Sequence, residues 1–163
     1  MDTVDKETRS RIMSSVRQKN TGAETALRSA LHAAGLRYRL HDRTLPGSPD
    51  LVFPKYRVVI FVHGCYWHSH GCHKSTLPKS RRQFWQAKFK ANRERDERNA
   101  ALLCERGWRV LTVWECILKG KTAEPVGNVA DAVKAWLDSD ETLGEISGAL
   151  SPADAPALQE LQQ

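Results

Sequence analysis

Eleven residues constrain this chain more than any other stretch: His63-Gly-Cys-Tyr-Trp-His-Ser-His-Gly-Cys-His73. Four of the six histidines and two of the four cysteines fall within them. Cys65, His70 and Cys72 form a C-x4-H-x-C pattern, and Cys116, at the end of a later apolar strand, can complete a set of four. Zinc takes four Cys or His ligands in a tetrahedron, and such a staple holds a loop that has no core of its own. His68 or His73 could stand in for His70. Four protein ligands leave no open coordination position, so the zinc expected here is structural. Cys104, beside Leu102 and Leu103, reads instead as a small buried hydrophobe.

Around that loop the hydrophobic periodicity lays out a small α/β domain. DKETRSRIMSSVRQ, residues 5–18, is a basic helix with a thin apolar stripe. Thr21 can cap a helix through Ala34 that stops at Gly35, with Ala23, Ala26, Leu27, Ala30, Leu31 and Ala34 at helical spacing. Short strands are expected at 37–40, 50–53 and 57–62, the first two separated by the turn-rich Leu45-Pro-Gly-Ser-Pro49. A long amphipathic helix runs from Arg81 to Arg106, followed by a strand at 108–114 and a last helix at 126–137. Helix, three strands, helix, strand, helix describes a small mixed sheet flanked by helices. Three segments follow: a basic N-terminal stretch, 1–20; a folded domain, 21–138; and an acidic, weakly ordered tail, 139–163.

Charge narrows the partner. The formal net charge is +6, but residues 1–121 carry 24 basic and 11 acidic side chains, whereas residues 122–163 carry one basic and eight acidic. A basic body with an acidic end fits a polyanion binder. Nine basic residues lie between Lys74 and Arg98, interleaved with Phe84, Trp85 and Phe89. No stretch is long and apolar enough to span a bilayer, and the first residues lack the pattern of a signal peptide, so a cytoplasmic location is expected. Nucleotide-cofactor loops of the GxGxxG or GxxxxGK[ST] type are missing.

A second constellation suggests what is done to that polyanion. Pro49-Asp50 opens one strand, and Phe61-Val62-His63 closes the next. A carboxylate at a strand start can hold Mg²⁺ against a phosphate oxygen. The PD-(D/E)xK nuclease pattern has this layout, with Phe61 here at its acid position and His63 at its lysine position. Phosphodiester hydrolysis needs an activated water, neutralised charge at phosphorus and a protonated leaving oxygen. Histidines titrate near neutrality and can exchange protons where lysine could only hold charge. Glu24 is a candidate supporting acid, a solvated helix residue being the plainer reading.

Leu45-Pro-Gly-Ser-Pro-Asp50, Val59-Ile-Phe-Val-His-Gly-Cys-Tyr-Trp-His68, Phe84-Trp85 and Gly107-Trp-Arg-Val-Leu-Thr-Val-Trp-Glu-Cys116 resemble the very short patch repair (Vsr) DNA mismatch endonucleases over roughly residues 5–137. The resemblance implies a bacterial Mg²⁺-dependent nickase on a PD-(D/E)xK restriction-endonuclease-like core. It would cut 5′ to the thymine of a T:G mismatch left by deamination of 5-methylcytosine. It implies Asp50 as the Mg²⁺ carboxylate, the backbone carbonyl of Val62 as a further ligand, and His63 and His68 as acid–base or phosphate-stabilising groups. The structural Zn²⁺ falls on Cys65, His70, Cys72 and Cys116. Met13, Tyr66, Trp67 and Trp85 become the side chains that enter the base stack, where mispairing already weakens it. Val62 stands where the family has Thr, and Tyr66 where Phe is usual. Cooperation with a MutL-type repair protein is also implied, and a monomer is expected. The readings set against this are a non-catalytic zinc-dependent DNA-binding protein and a restriction-like nuclease of other specificity.

Overall fold

The computed structural model of the chain describes residues 5–15 and 21–148, with the side chains of 12–15 excluded. The elements are α1 (Lys6–Ser15), α2 (Gly22–Ala33), β1 (Arg39–Leu40), β2 (Leu51–Phe53), β3 (Val58–His63), α3 (Arg82–Glu105), β4 (Arg109–Trp114), α4 (Glu115–Leu118), α5 (Val126–Leu137) and β5 (Leu143–Ile146). The five strands form one sheet in the order β1-β2-β3-β4-β5. β1, β2 and β3 pair antiparallel, and β3, β4 and β5 pair parallel. This is the small mixed sheet with flanking helices expected from the periodicity.

Strand parity sorts the core into two layers. Leu51, Phe53, Val58, Ile60, Leu111 and Val113 face one side, where they pack on Leu27 and Leu31 of α2 and on Val129, Val133 and Trp136 of α5. Val52, Val59 and Val110 face the other side, against Leu103 of α3. The β2–β3 register pairs Leu51 with Ile60, so Asp50, one residue earlier, arrives beside Phe61 and Val62. Parallel pairing of β3 and β4 sets His63 against Trp114 and so brings Cys116 to the loop that follows β3. The sheet therefore delivers both sets of chemically capable residues to one edge.

The tail expectation needs correction. Leu143–Ile146 lies inside the stretch read as weakly ordered, yet it is the strand that completes the sheet beside β4. Its acidic neighbourhood masked an alternation in which Gly144 and Ile146 turn inward. Arg109 anchors the approach by donating to the carbonyls of Leu137 (2.9 Å) and Ser139 (2.7 Å), and the N–H of Val110 donates to Thr142 O at 2.8 Å. Gly144 is required there, because any Cβ would collide with the Trp136 indole. Residues 149–163 lie outside the described residues. Two smaller differences concern packing: Cys104 and Trp108 are half-buried, with the Arg57 guanidinium 4.2 Å from the Trp108 ring, whereas Trp114 is core as expected.

Candidate active site and metal centre

Two loops set the geometry. Leu45–Pro49 turns back on itself with Gly47 at φ 75°, and a Cβ at 47 would lie 2.9 Å from Asn99 and 3.1 Å from the Phe61 ring. Glycine thus lets the loop press against α3 and β3 just before Asp50. The Asp50 carboxylate accepts a hydrogen bond from Val62 N–H at 2.7 Å, which fixes it beside the end of β3. There the His63 and His68 rings stack with centroids 3.8 Å apart and planes 2° from parallel. His68 Nδ1 pairs with the Asp96 carboxylate. Burial first, and then the neighbouring His68, push the His63 imidazole down to about 3, so at neutral pH it is uncharged and able to accept a proton.

Asp50, His63, His68 and Asp96 all line one open groove, which Lys88, Arg95 and Lys119 also border. Asp96 did not emerge from the sequence. Its signal was helical spacing: Trp85, Lys88, Asn92, Asp96 and Asn99 recur at three or four residues along α3 and line the same groove. Asn92 also donates to Trp67 O at 2.9 Å, tying the histidine loop to this helix.

The aromatics gather at one end of the groove. Tyr66, Trp67 and Trp85 are half-buried and in mutual contact, with Trp67 and Trp85 centroids 6.2 Å apart and Phe89 buried beneath Tyr66. Phe84, 45 % exposed and edge-on to Trp85, extends the cluster and was not singled out from the sequence. Lys88 Nζ lies 5.8 Å from the Trp67 ring and 6.0 Å from that of Trp85. Met13 is on α1, and its side chain lies outside the described residues.

Cys65, His70, Cys72 and Cys116 come together with one ligand atom each inside 4.8 Å of the others. The donor set fits zinc. Cys116 Sγ lies 3.6 Å from His70 Nδ1, and tetrahedral bonds of about 2.3 Å to sulfur and 2.05 Å to nitrogen require roughly that separation. The backbone N–H groups of Lys74 (3.4 Å) and Gly148 (3.3 Å) point at Cys72 and Cys116 sulfurs, as donors do toward thiolates. Burial pushes the Cys65 and Cys116 thiols up, an electrostatic cost that a bound dication offsets. Of the alternatives for the fourth ligand, His68 is turned to Asp96 and His70 stacks on Trp114 inside the cluster.

Glu24 is not a solvated helix residue. It is 2 % exposed, at the start of α2, where Thr21 Oγ accepts from its backbone N–H. Its carboxylate lies 3.0 Å from His41 Nε2 and 3.5 Å from Arg28. His41, also unforeseen, lies on the Asp50 side of this pair, its Nδ1 3.8 Å from Asp50 Oδ1.

Among the described residues, no helix is long and apolar enough to cross a membrane. A family profile described as "DNA mismatch endonuclease Vsr" matches residues 1–74. The chain is similar to the type II nicking enzyme V.XorIIP of Xanthomonas oryzae, with 54% identity over 117 residues that cover 72% of this chain and 86% of the relative. It is 41% identical over 145 residues to the DNA mismatch endonuclease Vsr of Escherichia coli, covering 89% and 93% of the two chains. The type II nicking enzyme V.NmeAIP of Neisseria meningitidis is 43% identical over 113 residues, 69% of this chain and 81% of that one.

Proposed function

The chain belongs to the Vsr family of DNA mismatch endonucleases and is a strand-nicking endonuclease, and from that premise we propose that it cuts one strand 5′ to the thymine of a T:G mismatch, using Mg²⁺ on a PD-(D/E)xK-like core. The observation that carries this reading is the Asp50 carboxylate, fixed by Val62 N–H beside a stacked histidine pair in a groove bordered by cations. Asp50 and the Val62 carbonyl would hold Mg²⁺, which supplies charge neutralisation at the scissile phosphate.

The histidines divide the proton work. Two imidazolium cations 3.8 Å apart would repel by about 4 kcal/mol at an effective dielectric of 20, so the stack holds one proton in preference to two. Asp96 stands on the His68 side. His63 therefore accepts a proton from the attacking water, and His68, oriented through Nδ1, presents Nε2 to the leaving oxygen. Asp96→Asn should lower kcat roughly 100-fold with KM for the duplex unchanged, because it removes the charge that orients and supports His68. Single-turnover kinetics with a DNA titration check this, and a rise in KM alone would assign Asp96 to DNA contact.

Tyr66, Trp67 and Trp85 form the wedge that reads the mispair, with Met13 approaching from the other side; stacking on bases weakened by mispairing rewards T:G over T:A. The basic face of α3 contacts phosphates, so binding falls steeply with salt. Residues 1–20 grip DNA around a nuclease unit at 21–138, which acts as a monomer in the bacterial cytoplasm with a MutL-type partner. Zn²⁺ at Cys65, His70, Cys72 and Cys116 shapes the loop that carries the wedge. The proposal is tested on end-labelled T:G and T:A duplexes with Mg²⁺ or EDTA. Nicking of T:G alone, abolished by EDTA, is expected; equal cutting of T:A would remove the mismatch specificity.

A further inference from the structure

His41 follows β1 with a left-handed φ of 49°, and its N–H donates to Asp50 O at 3.2 Å. The backbone thus turns the imidazole in behind Asp50. Both ring nitrogens are buried, and neither makes an aligned hydrogen bond. Buried polar atoms in folded proteins are nearly always satisfied, and exceptions mark a bound water, an ion or a functional strain. What surrounds this ring is two carboxylates: one donor atom each from Glu24, His41 and Asp50 lie within 4.8 Å of one another. The separation of His41 Nε2 from Glu24 Oε1 is 3.0 Å, about the edge of an octahedron with metal–ligand bonds near 2.1 Å.

We propose that Glu24, His41 and Asp50 form a mixed nitrogen–oxygen site for a first-row transition dication such as Mn²⁺, with Asp50 shared between this ion and the Mg²⁺ position. The proposal rests on the reading of Asp50 as the catalytic metal carboxylate. Mg²⁺ favours an all-oxygen shell, whereas an imidazole nitrogen favours Mn²⁺, Co²⁺ or Ni²⁺. Arg28, 3.5 Å from the same Glu24 oxygen, offsets part of the negative charge, so the two carboxylates accommodate one additional dication and no more. Sharing Asp50 would set the two ions on either side of one carboxylate, the arrangement of two-metal phosphodiester hydrolysis.

The test uses the full-length, zinc-loaded protein and Mn²⁺ as probe, since zinc occupies the thiolates and Mn²⁺ binds them poorly. Electron paramagnetic resonance should count one bound Mn²⁺ and detect directly coupled ¹⁴N. Labelling histidine with ¹⁵N should convert that coupling without any substitution. His41→Gln should abolish it and weaken Mn²⁺ binding at least about 10-fold while circular dichroism and Tm hold. Absence of nitrogen coupling in the wild type overturns the proposal, whatever the variant does. Coupling that persists in His41→Gln also overturns it, by assigning the nitrogen to another histidine. Mg²⁺-dependent nicking of a T:G duplex is measured in parallel, so a failure of the catalytic reading shows there and not in the Mn²⁺ spectrum.

Discussion

Asp50→Ala should reduce nicking by roughly 1,000-fold or more while leaving T:G duplex binding within a few-fold of wild type. The size of the effect follows from how few acids the site owns. At the strand position where a PD-(D/E)xK enzyme has its second carboxylate this chain has Phe61, so Asp50 is the carboxylate on which the Mg²⁺ position depends. Its loss also frees the Val62 N–H, now satisfied at 2.7 Å, at a cost of about 1 kcal/mol. Asp50→Asn separates the two effects, since the amide oxygen keeps that hydrogen bond but loses the charge. Both variants should fall in rate together, with Tm lower only for alanine. Residual nicking above about a hundredth of wild type would assign the chemistry elsewhere.

Cys116→Ser should release the zinc and lower Tm by more than about 10 °C, the largest stability loss expected of any single substitution here. Cys116 is fully buried at the start of α4, and its sulfur lies beside His70 Nδ1 and accepts from Gly148 N–H. One residue thus joins three pieces of chain: the end of β4, the loop at 65–72 and the segment leaving β5. That loop has a cluster of its own, Cys65, Cys72, Trp114 and Cys116, in which three of the four members are ligands. Without the ion the cluster is too small to hold it. A serine variant that retains one zinc per chain, measured by metal analysis, together with wild-type Tm would refute the ligand set. Activity should fall with zinc, because Trp114 stacks on His70 and also contacts His63 and His68.

What could be read from the residues in order differs in kind from what could not. Asp50, His63 and the four zinc ligands were legible because each sits at a strand end, and strand ends follow from short apolar runs bounded by turns. Cys116 was reachable despite its distance in sequence, since tetrahedral zinc demands a fourth ligand. Asp96 and His41 were not legible. Asp96 meets His68 across 28 residues because α3 packs beside the loop, and nothing in its local context separates it from the other charges of a polar helix face. His41 looks like a loop residue, and only the pairing of β1 with β2 turns it toward Asp50. Glu24 reads as solvated because propensity reports the helix and not the layer above it. β5 was hidden by composition: one leucine and one isoleucine among acidic residues gain their meaning from Arg109, Trp136 and the open edge of β4.

The measurement that bears most directly on the central claim is the position of the cut. A duplex with a single T:G pair, labelled separately on each strand, is incubated with the protein and Mg²⁺ and resolved at single-nucleotide resolution. One break is predicted, in the thymine strand at the phosphodiester immediately 5′ to the mispaired thymine, with the guanine strand intact and a T:A control uncut. Cleavage of both strands, or a break that stays in place when T:G becomes T:A, would contradict the account.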